Sequence, residues 1–161
     1  VQTRKDVTYT AKICTVDEYL AICKEYNVFP VIELKWGIGL NNNDMTLFPA
    51  LYALIEKYGL VEEAIILTSM KQSLEYIRSN YPQLTCQWLR HKVQDEEYTW
   101  CQDWGVDLSV AHTSVTEDVI AHSKQIKKDV ATWTVNDIAD YERVKELGCK
   151  YVTTDCLEIN K

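Results

Sequence analysis

The hydrophobic pattern of this chain switches between a period of two and a period of about 3.6 along nearly its whole length, and that alternation limits what it can fold into. Apolar runs of strand length stand at 31–34, 64–67, 85–89, 106–110, 130–135 and 151–154. Between them lie helical stripes at 46–58, 96–104 and 137–147, with Gly59 and Gly148 placed to close two of them. Three further helices are opened by the capping-box patterns Thr15-x-x-Glu18, Ser69-x-x-Gln72 and Ser114-x-x-Glu117. Such β-α-β-α order implies parallel strands joined by right-handed crossovers. No G-x-G-x-x-G turn or G-x-x-x-x-G-K-[ST] loop follows any strand, which removes the main support for a dinucleotide or P-loop fold. A barrel, or part of one, remains.

No linker composition interrupts the pattern, so residues 1–161 read as a single domain. Residues 1–13 read as a loop or linker leading into it, and 37–44, with three Asn and two Gly, as a loop after the first strand. A complete (β/α)₈ barrel takes roughly 200–250 residues. The expected fold is therefore an α/β, TIM-barrel-type parallel sheet of about six βα units, incomplete as a barrel. An incomplete barrel exposes two strand edges, and exposed edges invite pairing. An upstream part of the same protein, a second chain, or self-association into a homo-oligomer could cover them.

With 47% hydrophobic and 25% charged residues the chain is globular rather than disordered. A formal charge of −7 argues against nucleic-acid or anionic-membrane partners. It leaves a phosphodiester substrate open, because a bound cation reverses the field locally. No stretch approaches the roughly 18 apolar residues of a transmembrane segment. No basic-apolar leader precedes Val1, and the missing initiator Met fits a processed or truncated piece. The six cysteines form no C-x-x-C pair and match no zinc spacing. Several sit inside apolar patterns as small hydrophobes, which favours a reducing compartment such as the cytoplasm, or simple burial, over a disulfide framework, although their even count leaves disulfides open.

One strand carries chemistry as well as core. In Val31-Ile32-Glu33-Leu34-Lys35, alternate residues project from one face, so Glu33 and Lys35 point the same way while Ile32 and Leu34 pack on the other side. An acid and a base in a core strand read either as an internal ion pair or a strand end reaching solvent, or as a metal-ligating carboxylate beside a phosphate-binding lysine. In a parallel barrel the chemistry gathers at the C-terminal ends of the strands. Those positions hold Glu33 and Lys35, Thr68 and Ser69, Trp88 and Arg90, His112, the segment 132–136, and Thr154 with Asp155.

Taken in order, these motifs resemble the C-terminal part of the glycerophosphodiester phosphodiesterase family. The landmarks are Thr15-Val16-Asp17-Glu18-Tyr19-Leu20, Ile32-Glu33-Leu34-Lys35, Leu67-Thr68-Ser69-Met70, the Val119-Ile120-Ala121-His122 helix before Thr132-Trp133-Thr134-Val135-Asn136, and Leu147-Gly148-Cys149 followed by Val152-Thr153-Thr154-Asp155. The resemblance implies a TIM barrel that hydrolyses a small-molecule glycerophosphodiester to an alcohol and glycerol 3-phosphate with a divalent cation, Ca²⁺ or Mg²⁺. By the same resemblance, Glu33 matches a metal-ligand carboxylate, Lys35 a phosphate contact, and Trp133 an aromatic wall of the substrate pocket. Hard cations take carboxylate oxygens, and lysine supplies a point charge to phosphoryl oxygens.

The family's opening segments, an H-R-G strand, an E-x-D strand and an H-D turn, have no counterpart here. Those segments carry its acid–base histidines and further carboxylates. The three histidines present stand in other contexts: His122 reads as a helix-packing residue, and His91 and His112 follow strands. The chain alone is thus expected to bind a cation weakly and to be inactive or slow, while the complete protein acts as the hydrolase. A second reading is a shortened, non-catalytic relative acting as a binding or assembly module. Its aromatic residues, Trp88, Tyr98, Trp100 and Trp104 among them, would form a polyol surface, against an expectation that they pack the core. A third reading, an unrelated open α/β domain, would need a ligand loop at a strand-order reversal, and no phosphate loop is present.

Overall fold

The computed structural model describes residues 12–35 and 44–157. Most of the expected leading segment and of the expected 37–44 loop lies outside the described residues. Six parallel strands, β1 (Val31–Glu33), β2 (Ile65–Thr68), β3 (Thr85–Arg90), β4 (Asp107–Ala111), β5 (Val130–Trp133) and β6 (Tyr151–Val152), form one sheet in sequence order. The helices are α1 (Val16–Glu25) before β1, then α2 (Phe48–Lys57), α3 (Lys71–Asn80), α4 (Asp95–Trp104), α5 (Glu117–Gln125) and α6 (Ile138–Leu147) between successive strands. This is the incomplete TIM-type half-barrel that the alternation predicts, with β1 and β6 as its edges among the described residues.

The helices form where sequence supplies both an apolar stripe and a start signal. Thr15 and Glu18 make the reciprocal capping box at the start of α1, with the Thr15 amide 2.7 Å from the Glu18 carboxylate. Two other caps differ from expectation. Helix α3 starts at Lys71, not at a Ser69 cap, because the Ser69 carbonyl accepts the Trp88 indole N–H at 3.1 Å and Thr68 accepts the Met70 amide. Likewise Ser114 is spent in a short turn, His112–Ser114, and Thr116 caps α5 by accepting the Val119 amide. Strand β5 stops at Trp133, two residues before its apolar run ends, although the Val135 amide still bonds the Thr153 carbonyl.

One sheet face packs the helices. Ile66, Cys86, Trp88, Leu108, Val110 and Val130 project into a core completed by Leu20, Phe48, Ile55, Leu74, Ile77 and Val144. Cys23, Cys86 and Cys101 are buried here as small hydrophobes, and burial pushes the Cys86 and Cys101 thiols up to about 12. Trp88, Tyr98 and Trp100 belong to this layer too, so core packing accounts for them. The opposite face is concave and carries the alternate residues. No helix among the described residues is long and apolar enough to cross a membrane.

Candidate functional site

The concave face encloses a cavity of about 410 Å³. Its walls are the alternate residues of all six strands, from Val31, Glu33 and Ile65 on one side to Ala131, Trp133 and Tyr151 on the other, with Lys35, Thr134 and Thr153 just beyond strand ends. Two-residue periodicity predicts this placement: Glu33 and Lys35 face the cavity, while Leu34 between them is 5% exposed in the helix layer. The register sets Glu33 opposite Leu67, and Leu67 opposite Gln87, so the Glu33 carboxylate is flanked by an apolar side chain and then a buried amide.

Glu33 and Lys35 form a loose pair, 3.9 Å between Oε2 and Nζ, with side chains 38% and 70% exposed. Such an open pair contributes little to stability and leaves both groups able to take a ligand. Trp133 is held more firmly. Its indole N–H donates to the Ser109 carbonyl at 3.2 Å, which lays the ring from β5 across β4. All three residues singled out from sequence therefore line one cavity.

The histidines separate. His91 stands just after β3 with its ring 5.0 Å from the Trp133 ring, at an interplanar angle of 70°. His112 lies against α6, its Nδ1 3.6 Å from Asp140 Oδ1 and its carbonyl accepting from Arg143 at 2.9 Å. His122 stacks on Tyr98 at 5.1 Å in the outer layer, as a packing residue should.

A polar clasp that local sequence does not reveal holds the segment after Trp133. Asn136 donates from Nδ2 to Asp155 Oδ2 at 3.0 Å, and its Oδ1 accepts from the Asp155 amide at 3.0 Å and the Thr154 hydroxyl at 3.3 Å. These bonds tie the segment after β5 to the segment after β6, fixing the backbone that carries Trp133 and Thr134. The polar strand ends signal such a role, but their mutual pairing is a tertiary fact.

The fit to a divalent cation rests on the donor set. Glu33 supplies one hard oxygen, whereas Mg²⁺ takes six ligands and Ca²⁺ about six to eight. Among the described residues no group of three or more His, Cys, Asp or Glu side chains could hold a metal ion. These residues alone do not make a cation site.

Residues 4–159 match the family model described as the glycerophosphoryl diester phosphodiesterase family. A structure described as a glycerophosphodiester phosphodiesterase from Galdieria sulphuraria superposes with a TM-score of 0.79 at 17% identity, covering 94% of this chain and 63% of that one. One from Silicibacter pomeroyi DSS-3 gives 0.72 at 19% identity, over 86% of this chain and 52% of that one. An Oleispira antarctica phosphodiesterase in complex with the product sn-glycerol-3-phosphate gives 0.58 at 9% identity, over 86% of each chain. The chain thus spans 63% and 52% of the lengths of the first two. No curated protein matches it. With a match over nearly the whole chain and the fold to go with it, this protein belongs to the glycerophosphoryl diester phosphodiesterase family.

Proposed function

We propose that this chain supplies the Glu33, Lys35 and Trp133 side of the active site of a metal-dependent hydrolase, which cleaves glycerophosphodiesters to an alcohol and glycerol 3-phosphate. The observation that carries this reading is the convergence of those three side chains on one cavity at the concave face. Lys35 places a cationic group where the phosphoryl oxygens bind. Trp133 gives the glycerol carbons a flat wall whose tilt is set by the Ser109 carbonyl. Glu33 contributes one carboxylate ligand to a Ca²⁺ or Mg²⁺ ion, and the other ligands come from outside the described residues. The cation, when bound, supplies charge stabilisation at the phosphoryl group. The fold relatives add support: the Oleispira antarctica phosphodiesterase binds sn-glycerol-3-phosphate on the same architecture. The gap between edge strands β1 and β6 is where a (β/α)₈ barrel would place its remaining strands.

The test is hydrolysis of a glycerophosphodiester by the complete protein with added Mg²⁺ or Ca²⁺. Glu33→Gln keeps the size of the side chain and removes its charge, so it should lower the metal-stimulated rate at least about 100-fold, the scale seen when a group serving the transition state is lost. His122→Gln, in the outer layer, should leave the rate within about twofold. Equal activity of the Glu33 variant and the wild type would refute the assignment. Binding of glycerol 3-phosphate without any turnover would instead favour the binding-module reading.

A further inference from the structure

Gln87 and Leu89 face the cavity from β3, and two-residue alternation continues to His91 just past the strand end. The pairing of Arg90 with Val110 and of Ala111 with Trp133, carried one residue further, sets His91, Ala111 and Trp133 in one row across three strands at the C-terminal rim. Ala111 offers only a methyl group, so the two larger side chains can meet over it. They do, edge to face, with centroids 5.0 Å apart. The Trp133 ring is the fixed partner, anchored through its N–H to Ser109. Among the described residues His91 makes no hydrogen bond or ion pair, and the Trp133 indole is the one ring it meets. Its ring nitrogens are thus left for a ligand at the border of an apolar wall.

That border matches the chemistry of a polyol, which has C–H groups to lie on an aromatic face and hydroxyls that need hydrogen-bonding partners. Resting on the functional reading above, we propose that His91 and Trp133 form the polyol half of the pocket. His91 hydrogen-bonds hydroxyls of a glycerol moiety lying on the indole, while Lys35, after β1, holds the phosphate. His91 is then a specificity-determining residue. A pocket built to bond a hydroxyl discriminates against the analogue that lacks it.

The test compares two probes of equal charge and chain length, glycerol 3-phosphate and n-propyl phosphate, by NMR titration of the full chain. Wild type should favour glycerol 3-phosphate by about threefold to tenfold, the scale of one net hydrogen bond. His91→Leu should bring the two affinities together by weakening glycerol 3-phosphate alone, and His91→Gln should restore part of the preference. Lys35→Ala should weaken both probes alike and leave their ratio intact. If His91→Leu leaves the preference unchanged, or weakens both phosphates equally, the assignment of His91 is overturned while the phosphate site at Lys35 stands. If the wild type binds neither phosphate, or Lys35→Ala changes nothing, the reading of the pocket fails and the inference falls with it.

Discussion

Asp107, at the start of β4, sets burial against charge at a single residue. Its Oδ1 accepts the Asp129 amide at 3.1 Å, and Lys128 and Lys150 lie near enough to favour its ionised form. Burial outweighs them and pushes its carboxyl above the usual carboxylate range. A carboxyl whose pKa is raised by folding contributes stability that is present below its unfolded pKa, near 3.8, and lost as pH rises through the folded value. At neutral pH the folded protein therefore carries the cost of ionising a desolvated group. Asp107→Asn keeps an oxygen acceptor for the Asp129 amide and removes that cost. The variant should unfold at higher urea than wild type at pH 7, and its advantage should shrink as pH falls toward 3.8. An advantage that is constant with pH, or a variant less stable at pH 7, would contradict this account of Asp107. Nothing in the local sequence announces the shift, because it depends on the packing of the β4 and β5 strand starts against each other.

Among the elements, α4 shows how one side chain can start a helix and tie it to the sheet. Glu97 is 8% exposed; one carboxylate oxygen accepts the Gln94 amide at 2.9 Å and the other meets the Arg90 guanidinium at 2.7 Å. Arg90 in turn lies over the Trp88 ring, 4.7 Å from its centroid, and Lys71 approaches the same indole at 4.3 Å. Glu97→Ala removes the reciprocal cap and leaves Arg90 without its carboxylate. The loss should be about 2–3 kcal/mol in urea unfolding, more than a surface ion pair is worth. A loss under about 0.5 kcal/mol would show that the pair contributes no more than an exposed one. Helix starts are only partly legible in the sequence. Thr15-x-x-Glu18 reads correctly because Thr is a common cap and its reciprocal partner is Glu. Gln94-x-x-Glu97 is missed because Gln is a rare cap residue. Ser69 and Ser114 mislead because contacts with distant residues decide where their helices begin: Ser69 accepts from Trp88, and the His112 and Val115 carbonyls on either side of Ser114 accept from Arg143.

At the scale of the whole molecule, alternation, the lack of a nucleotide-binding loop and the chain length together are enough to reach a parallel half-barrel, because buried strands and amphipathic helices bury their apolar residues with different periods. The same rule puts Glu33 and Lys35 on one face of the sheet from their spacing alone. It cannot bring His91 to Trp133 or Asn136 to Asp155, since those meetings depend on register between strands and on a small residue, Ala111, lying between two rings. The central claim is that the concave cavity is a glycerol-phosphate site with Trp133 as its wall and Lys35 as its anion contact. The most direct measurement is a glycerol 3-phosphate titration of the isotopically labelled chain, followed at the ring resonances of its tryptophans. The Trp133 resonances should move and saturate while those of Trp88 and Trp100, packed against the helix layer, stay in place, and Lys35→Ala should shift the saturation to higher ligand concentration. Movement confined to Trp88 or Trp100, or a Trp133 response indifferent to Lys35→Ala, would contradict the claim.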